Sequence, residues 1–225
     1  AQNRHNVVLE IREFFNQKNF EFMNSQVNEI DFNKKSILIN EGKLNYDILI
    51  LAIGSQANFF NIKGADKYSI PLKNINDATK IRNNIILSLE KASITNDDLL
   101  TTFVIVGGGA TGVELAGELS EFVKGLLKVY KKINPSKVKI YIVQRSNRFL
   151  DFLTDNKSSE LALQELRKKG VIILLNSAVT EVTENSVTIN NKTKIKTKNV
   201  FWAAGVKSNT IKTIPKVTNE KDFYE

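Results

Sequence analysis

The sequence has no cysteine, one histidine, three prolines, one methionine and one tryptophan. Without a thiol, the 225 residues can form no disulfide framework, no thiolate metal site and no dithiol redox pair. No metal centre is expected, and the absence of cysteine fits a reducing compartment. The lone histidine, His5, sits in a polar N-terminal stretch, where an imidazole is ordinarily solvated rather than a ligand or a base. Long apolar runs are also missing: the longest, ILILAI at 48–53, falls far short of the roughly 20 residues that span a bilayer. No basic segment followed by an apolar one and a cleavage site opens the chain, so no targeting peptide is expected. Repeats and low-complexity tracts are absent, which sets aside solenoids and disordered chains. What is present, 42% apolar and 25% charged residues, is ordinary globular composition at a length that allows one or two domains.

A net charge of +8 raises the question of a nucleic-acid partner, and the placement of the lysines answers it. Lys192, Lys194, Lys196 and Lys198 recur at every second residue, which puts them on one face of an extended strand, as on an edge that resists aggregation. Lys124, Lys128, Lys131 and Lys132 have the spacing of a solvated helical face. Neither group is interleaved with aromatics, so no nucleic acid is expected. The charge serves instead as a weak steering field for an anionic cofactor or a membrane surface.

Along the chain, VVLEIREFFN at 7–16 fits helix or strand equally. Residues 20–53 read as a small antiparallel meander feeding one fully buried strand that stops at Gly54. A helix capped by Asn74 or Asn76 follows, with Ala78, Ile81, Ile85 and Leu89 on its inner face. Next come a strand at 102–106, a helix from about 110 to 132, and a strand at 138–143, which together make a βαβ unit. A helix at about 156–169 is expected to turn Leu161, Leu163 and Leu166 inward and to end at Gly170. After the strand VIILL, a hairpin or three-stranded meander leads into a second buried strand, stopping at Gly205. Two apolar runs therefore end in an Ala-x-Gly turn, at 52–54 and at 203–205.

The chemistry is concentrated at FVIVGGGATGVELAG, residues 103–117. Gly107, Gly109 and Gly112 form G-x-G-x-x-G between a strand and a helix. The first allows the tight turn, the second admits a pyrophosphate, and the third lets helix and strand pack closely. Gly108, Ala110 and Thr111 complete the turn, whose helix N-terminus offers free N–H groups to phosphate. At the end of the next strand, where an acid commonly bonds the adenosine ribose, the chain has Gln144 and Arg145. An amide can still bond the ribose, and Arg145 either faces a 2′-phosphate or points to solvent. NADPH is therefore expected to be tolerated.

YDILILAIGSQANFFNIKGADKYSIPLKNINDATKIRNNI, FVIVGGGATGVELAGELSEF, LRKKGVIILLNSAVTEVTENSVTI and VFWAAGVKSN, in this order along the chain, resemble the central part of the type II NADH dehydrogenases, single-subunit NADH:quinone oxidoreductases, over most of residues 25–210. The resemblance implies an α/β, Rossmann-like FAD/NAD(P)-binding fold, a parallel sheet with antiparallel β-meander crossovers. Residues 1–60 would be part of an FAD-binding domain, 61–205 the NAD(P)H-binding domain, and 206–225 a linker returning toward the FAD domain. Hydride would pass from NADH to FAD and electrons onward to a quinone. Ala52, Ile53 and Gly54 would lie beside FAD, Ala204 and Gly205 along the NADH cleft. Glu114 is either the family's acid near the nicotinamide or an ordinary carboxylate at a helix start. The resemblance further implies a peripheral, cytoplasmic position on the inner face of a membrane, and it allows a homodimer. The other FAD motifs and the membrane-binding helices are expected outside these residues, as for the middle of a longer protein, inactive alone. A different flavin-dependent reductase or a non-catalytic NAD(P)H sensor would use the same turn, and bound yellow flavin in the whole protein separates enzyme from sensor.

Overall fold

The computed structural model describes residues 19–216, so His5 and the stretch 7–16 lie outside the described residues. The chain divides into two compact units, one made of residues 1–56 with 206–225 and one of residues 57–205. In the first, β1 (Val27–Asp31), β2 (Ser36–Ile39) and β3 (Gly42–Asn45) form an antiparallel meander. Asp31 shapes its first turn by accepting the N–H of Lys34 at 2.9 Å. The expected buried strand at 48–53 does not form. Ile48 and Ile50 are 86% and 85% exposed, and no strand among the described residues pairs with them. A buried strand needs neighbours to satisfy its backbone and cover its side chains, and both are lacking here. A short strand, β4 (Ser55–Ala57), follows.

The 57–205 unit begins with α1 (Ala65–Tyr68), β5 (Ile70–Pro71) and α2 (Ile75–Thr95), continues through β6 (Thr102–Val106), α3 (Ala110–Leu127) and β7 (Lys139–Val143), and then α4 (Lys157–Lys168) and β8 (Ile172–Leu174). β9 (Val179–Thr183), β10 (Ser186–Ile189) and β11 (Thr193–Lys196) form an antiparallel meander before β12 (Asn199–Trp202). The main sheet is parallel throughout, in the order β5-β12-β6-β7-β8.

Strand periodicity assigns its two faces. Phe103 and Ile105 of β6 pack with Ile81, Ile85 and Leu89 of α2, Leu119 and Val123 of α3 and Leu166 of α4. Val104 and Val106 point the other way, with Val200 and Trp202, onto Val182, Val187 and Ile195 of the meander. Helices thus cover one face and the meander the other, an α/β fold in which every residue of β6 and β12 is buried. β11 is an edge strand with Ile195 buried and Lys194 and Lys196 exposed.

Each helix departs somewhat from its sequence pattern. α2 starts at a capping box: Asn74 Oδ1 accepts the N–H of Asp77, and the Asp77 carboxylate accepts the N–H of Asn74, at 3.0 and 3.2 Å. That box buries Asp77 and leaves Ala78 exposed. α3 ends at Leu127 rather than near 132, because the amides of Val129 and Tyr130 both turn back to the oxygen of Leu126, at 2.8 and 3.0 Å, while Ile133 is buried. Only Lys124 of its four lysines therefore stands on the helix. On α4 the inner stripe is Ser159, Ala162, Leu163 and Leu166, at i, i+3, i+4, i+7, so Leu161 faces solvent at 60% exposure.

The returning stretch expected as a linker carries β13 (Val206–Ser208), paired with β4, and β14 (Lys212–Ile214), parallel to β1, with an ion pair between Lys212 and Glu29. Among the described residues, no helix is long and apolar enough to cross a membrane.

Candidate functional site

At the C-terminal ends of β6, β7 and β12 a cleft of about 540 Å³ opens, the position where open parallel sheets bind ligands. The three glycines of the turn differ in what requires them. Gly107 adopts φ 111°, and a Cβ there would stand 2.5 Å from the oxygen of Ala203, so it lets β6 turn tightly against the end of β12. A Cβ on Gly112 would lie 1.9 Å from the oxygen of Gly107, so it lets α3 pack onto the turn. Gly109 has ordinary extended backbone, φ −74° and ψ −177°, and no atom lies within 4 Å of an added Cβ. Nothing in the protein's own packing requires glycine there. The open space adjoins the first turn of an 18-residue helix, whose amides have no intrahelical acceptor.

The loop after β7 grips the turn. Gly108 donates its N–H to Gln144 Oε1 at 2.9 Å, and its carbonyl accepts the N–H of Leu150, also at 2.9 Å. Phe149, fully buried, seals the same peptide, standing 2.5 Å from where a Gly108 Cβ would be. Gln144 Nε2 reaches Ser146 Oγ at 2.5 Å and Asp151 Oδ2 at 3.3 Å. Across the cleft, Trp202 donates its indole N–H to the oxygen of Asn58 at 2.8 Å, and the N–H of Asn58 reaches Gly205 at 3.0 Å. Phe60 then stands over Gly205, half exposed, 3.0 Å from a Cβ placed there. Behind this wall, Lys63 Nζ bonds Glu181 Oε1 at 2.7 Å, which holds the Glu181 carboxyl below the usual carboxylate range and the Lys63 ammonium above its own.

Gly107, Gly108, Gly109, Gln144, Arg145, Ala204 and Gly205, all expected from the sequence, line this cleft together. Ala110, Thr111 and Glu114 are exposed on the first turns of α3 and do not line it; Gly112 is buried under the turn. Ala52, Ile53 and Gly54 belong to the other unit, where Asn209 occupies two carbonyls, its Nδ2 on Ile53 at 2.7 Å and its N–H on Gly54 at 3.2 Å. Ser146, Asp151, Phe60 and Ser177 line the cleft and were not expected. Asp151 had one signal, a strand ending without its acid and a carboxylate seven residues later. The fit to an anionic dinucleotide is good: an unfilled glycine position, free helix amides, and an apolar floor of Val106, Val143, Val179 and Trp202. In the Ala52–Gly54 turn, expected beside a flavin, the oxygens of Ile53 and Gly54 each accept one hydrogen bond from Asn209, which holds the turn in place.

A family profile described as pyridine nucleotide-disulphide oxidoreductase matches residues 2–221. The type II NADH:quinone oxidoreductase of Haemophilus influenzae is 31% identical over 191 residues, covering 78% of this chain and 43% of that one. An external alternative NAD(P)H-ubiquinone oxidoreductase B2, mitochondrial, of Arabidopsis thaliana is 34% identical over 176 residues, covering 74% and 30%. Among solved structures, NDH2 from Plasmodium falciparum in complex with NADH superposes with a TM-score of 0.80 at 30% identity, covering 90% of this chain and 45% of that one. The chain thus spans less than half the length of each of these relatives.

Proposed function

The chain belongs to the pyridine nucleotide-disulphide oxidoreductase family, and from that premise we propose that residues 57–205 are the NADH-binding part of a type II NADH:quinone oxidoreductase. The observation that carries this reading is Gly109: of the motif's three glycines, it alone meets no protein atom and leaves its space to a ligand. The pyrophosphate of the nucleotide would lie against Gly109 and the first-turn amides of α3, the adenosine end beside the β7 loop, and the nicotinamide end toward Ala204, Gly205 and Phe60. NADH, when bound, supplies a hydride. The flavin that takes it, the quinone and the membrane surface enter with the whole protein, toward which the resemblance of Ala52, Ile53 and Gly54 points. The chain's own residues bind, orient and cover the nucleotide. Glu114, exposed on α3, is proposed to act beside the nicotinamide once the rest of the protein encloses it.

The test is Gly109→Val. Valine adopts this backbone and its Cβ has no protein atom within 4 Å, so the thermal midpoint of the chain should be unchanged while calorimetric NADH affinity falls by at least about tenfold, a loss of about 1.4 kcal/mol of binding. Unaltered NADH affinity in this variant would overturn the reading.

A further inference from the structure

We propose that Asp151 selects NADH over NADPH, an inference that rests on the function proposed above and reverses the expectation drawn from Gln144 and Arg145 alone. In a glycine-turn cleft the strand beside the turn, here β7, ends next to the adenosine ribose, where a carboxylate bonds the 2′-hydroxyl and repels a 2′-phosphate. Gln144 does not fill that part, because its one acceptor oxygen is turned onto the turn itself, where it accepts the N–H of Gly108 at 2.9 Å. Its amide nitrogen turns outward and meets Asp151 Oδ2 at 3.3 Å. What residue 144 offers the cleft is therefore a carboxylate borrowed from the loop.

That carboxylate is built in. Ser146 Oγ donates to the same Oδ2 at 2.7 Å. Arg148 clamps the loop from behind through the main-chain oxygens of Asp151 at 3.0 Å and Leu153 at 2.6 Å, and its guanidinium also reaches Asn156. Leu150, the residue before Asp151, is tied to the glycine turn at 2.9 Å. Both side-chain bonds fall on Oδ2, while among the described residues Oδ1 accepts none and Asp151 is exposed along the cleft. An oriented acceptor is thus presented to a ribose hydroxyl. Arg145 lines the same cleft and would attract a 2′-phosphate, but its side chain has no hydrogen bond or ion pair among the described residues. The ordered carboxylate prevails over the solvated guanidinium, since a fixed charge loses less freedom on engaging a ligand.

Calorimetric titration of the full chain with NADH and with NADPH, at one fixed salt concentration, tests this. Wild type should bind NADH more tightly, and Asp151→Asn, a near-isosteric change at an exposed position, should lower the NADH-to-NADPH affinity ratio by about thirtyfold. Ser146→Ala, which removes one of the two bonds orienting the carboxylate, should lower it by about threefold. Gln144→Glu should gain nothing in wild type, where it sets a second carboxylate against the first, but should restore NADH preference in the Asp151→Asn background. NADH binding with an unchanged ratio in Asp151→Asn, or tighter NADPH binding by wild type, overturns this inference and leaves the proposed function standing. Binding of neither nucleotide, or NADH affinity indifferent to Gly109→Val, overturns the proposed function and this inference together.

Discussion

Residues 48–54 and 199–205 are both short apolar runs that stop at an Ala-x-Gly turn, and they end up in opposite circumstances. In the second, Asn199–Trp202 is buried at every position between two parallel neighbours, β5 and β6. Phe201 faces the helices, and Val200 and Trp202 face the meander. In the first, Ile48 and Ile50 are almost wholly exposed and pair with no described strand. The difference lies in what surrounds the runs. Asn199 anchors its strand through polar groups that the other run lacks: its Nδ2 donates to the oxygens of Leu100 and Thr102, both at 3.1 Å, and its Oδ1 accepts from Ser88 at 2.6 Å. An apolar run specifies a need for cover, and the cover itself is encoded elsewhere.

Three substitutions sharpen that contrast; Trp202, the chain's one tryptophan, reports the two in its own unit by fluorescence during urea unfolding, and far-ultraviolet circular dichroism of the whole chain reports the third, which lies in the other unit. Phe201→Ala should weigh most, since it empties a fully buried site stacked against Phe103 at 6.4 Å, destabilising by about 3–5 kcal/mol. Asn199→Ala should cost about 2 kcal/mol, because the Ser88 hydroxyl and the Leu100 carbonyl lose a buried partner. Ile50→Ser, in the run that stayed open, should fall within about 0.5 kcal/mol of wild type. A loss at Ile50 as large as that at Phe201 would abolish the distinction between the two runs.

Much of the 57–205 unit was legible because its signals are local. The buried run at 102–106, the glycines after it and the Asn74 cap each act within a few residues, and their elements lie where the pattern put them. What the pattern missed depends on tertiary neighbours. Leu161 is apolar but stands off the stripe begun by Ser159, and α3 stops early because Ile133 is drawn into the core. The cleft shows the same division. Its glycines and Gln144 follow directly from strand and turn, whereas Asp151 joins them only because Leu150 and Arg148 fold the loop back. Phe60 arrives from a connection preceding the motif by more than forty residues, and no spacing rule reaches that far.

The two-sided grip on the Gly108 peptide bears on how such a cleft could change its cofactor by inheritance or by design. Residue 144 is committed to the architecture of the turn, so the side chains that can replace it without orphaning a buried amide are those with an acceptor at the same reach, in practice Gln or Glu. Residue 151 carries no such obligation, since its bonds to the turn run through other residues. A lineage or an engineer moving this scaffold between nucleotides would therefore find the open path at 151, one substitution from Asp to Asn, and a narrow one at 144.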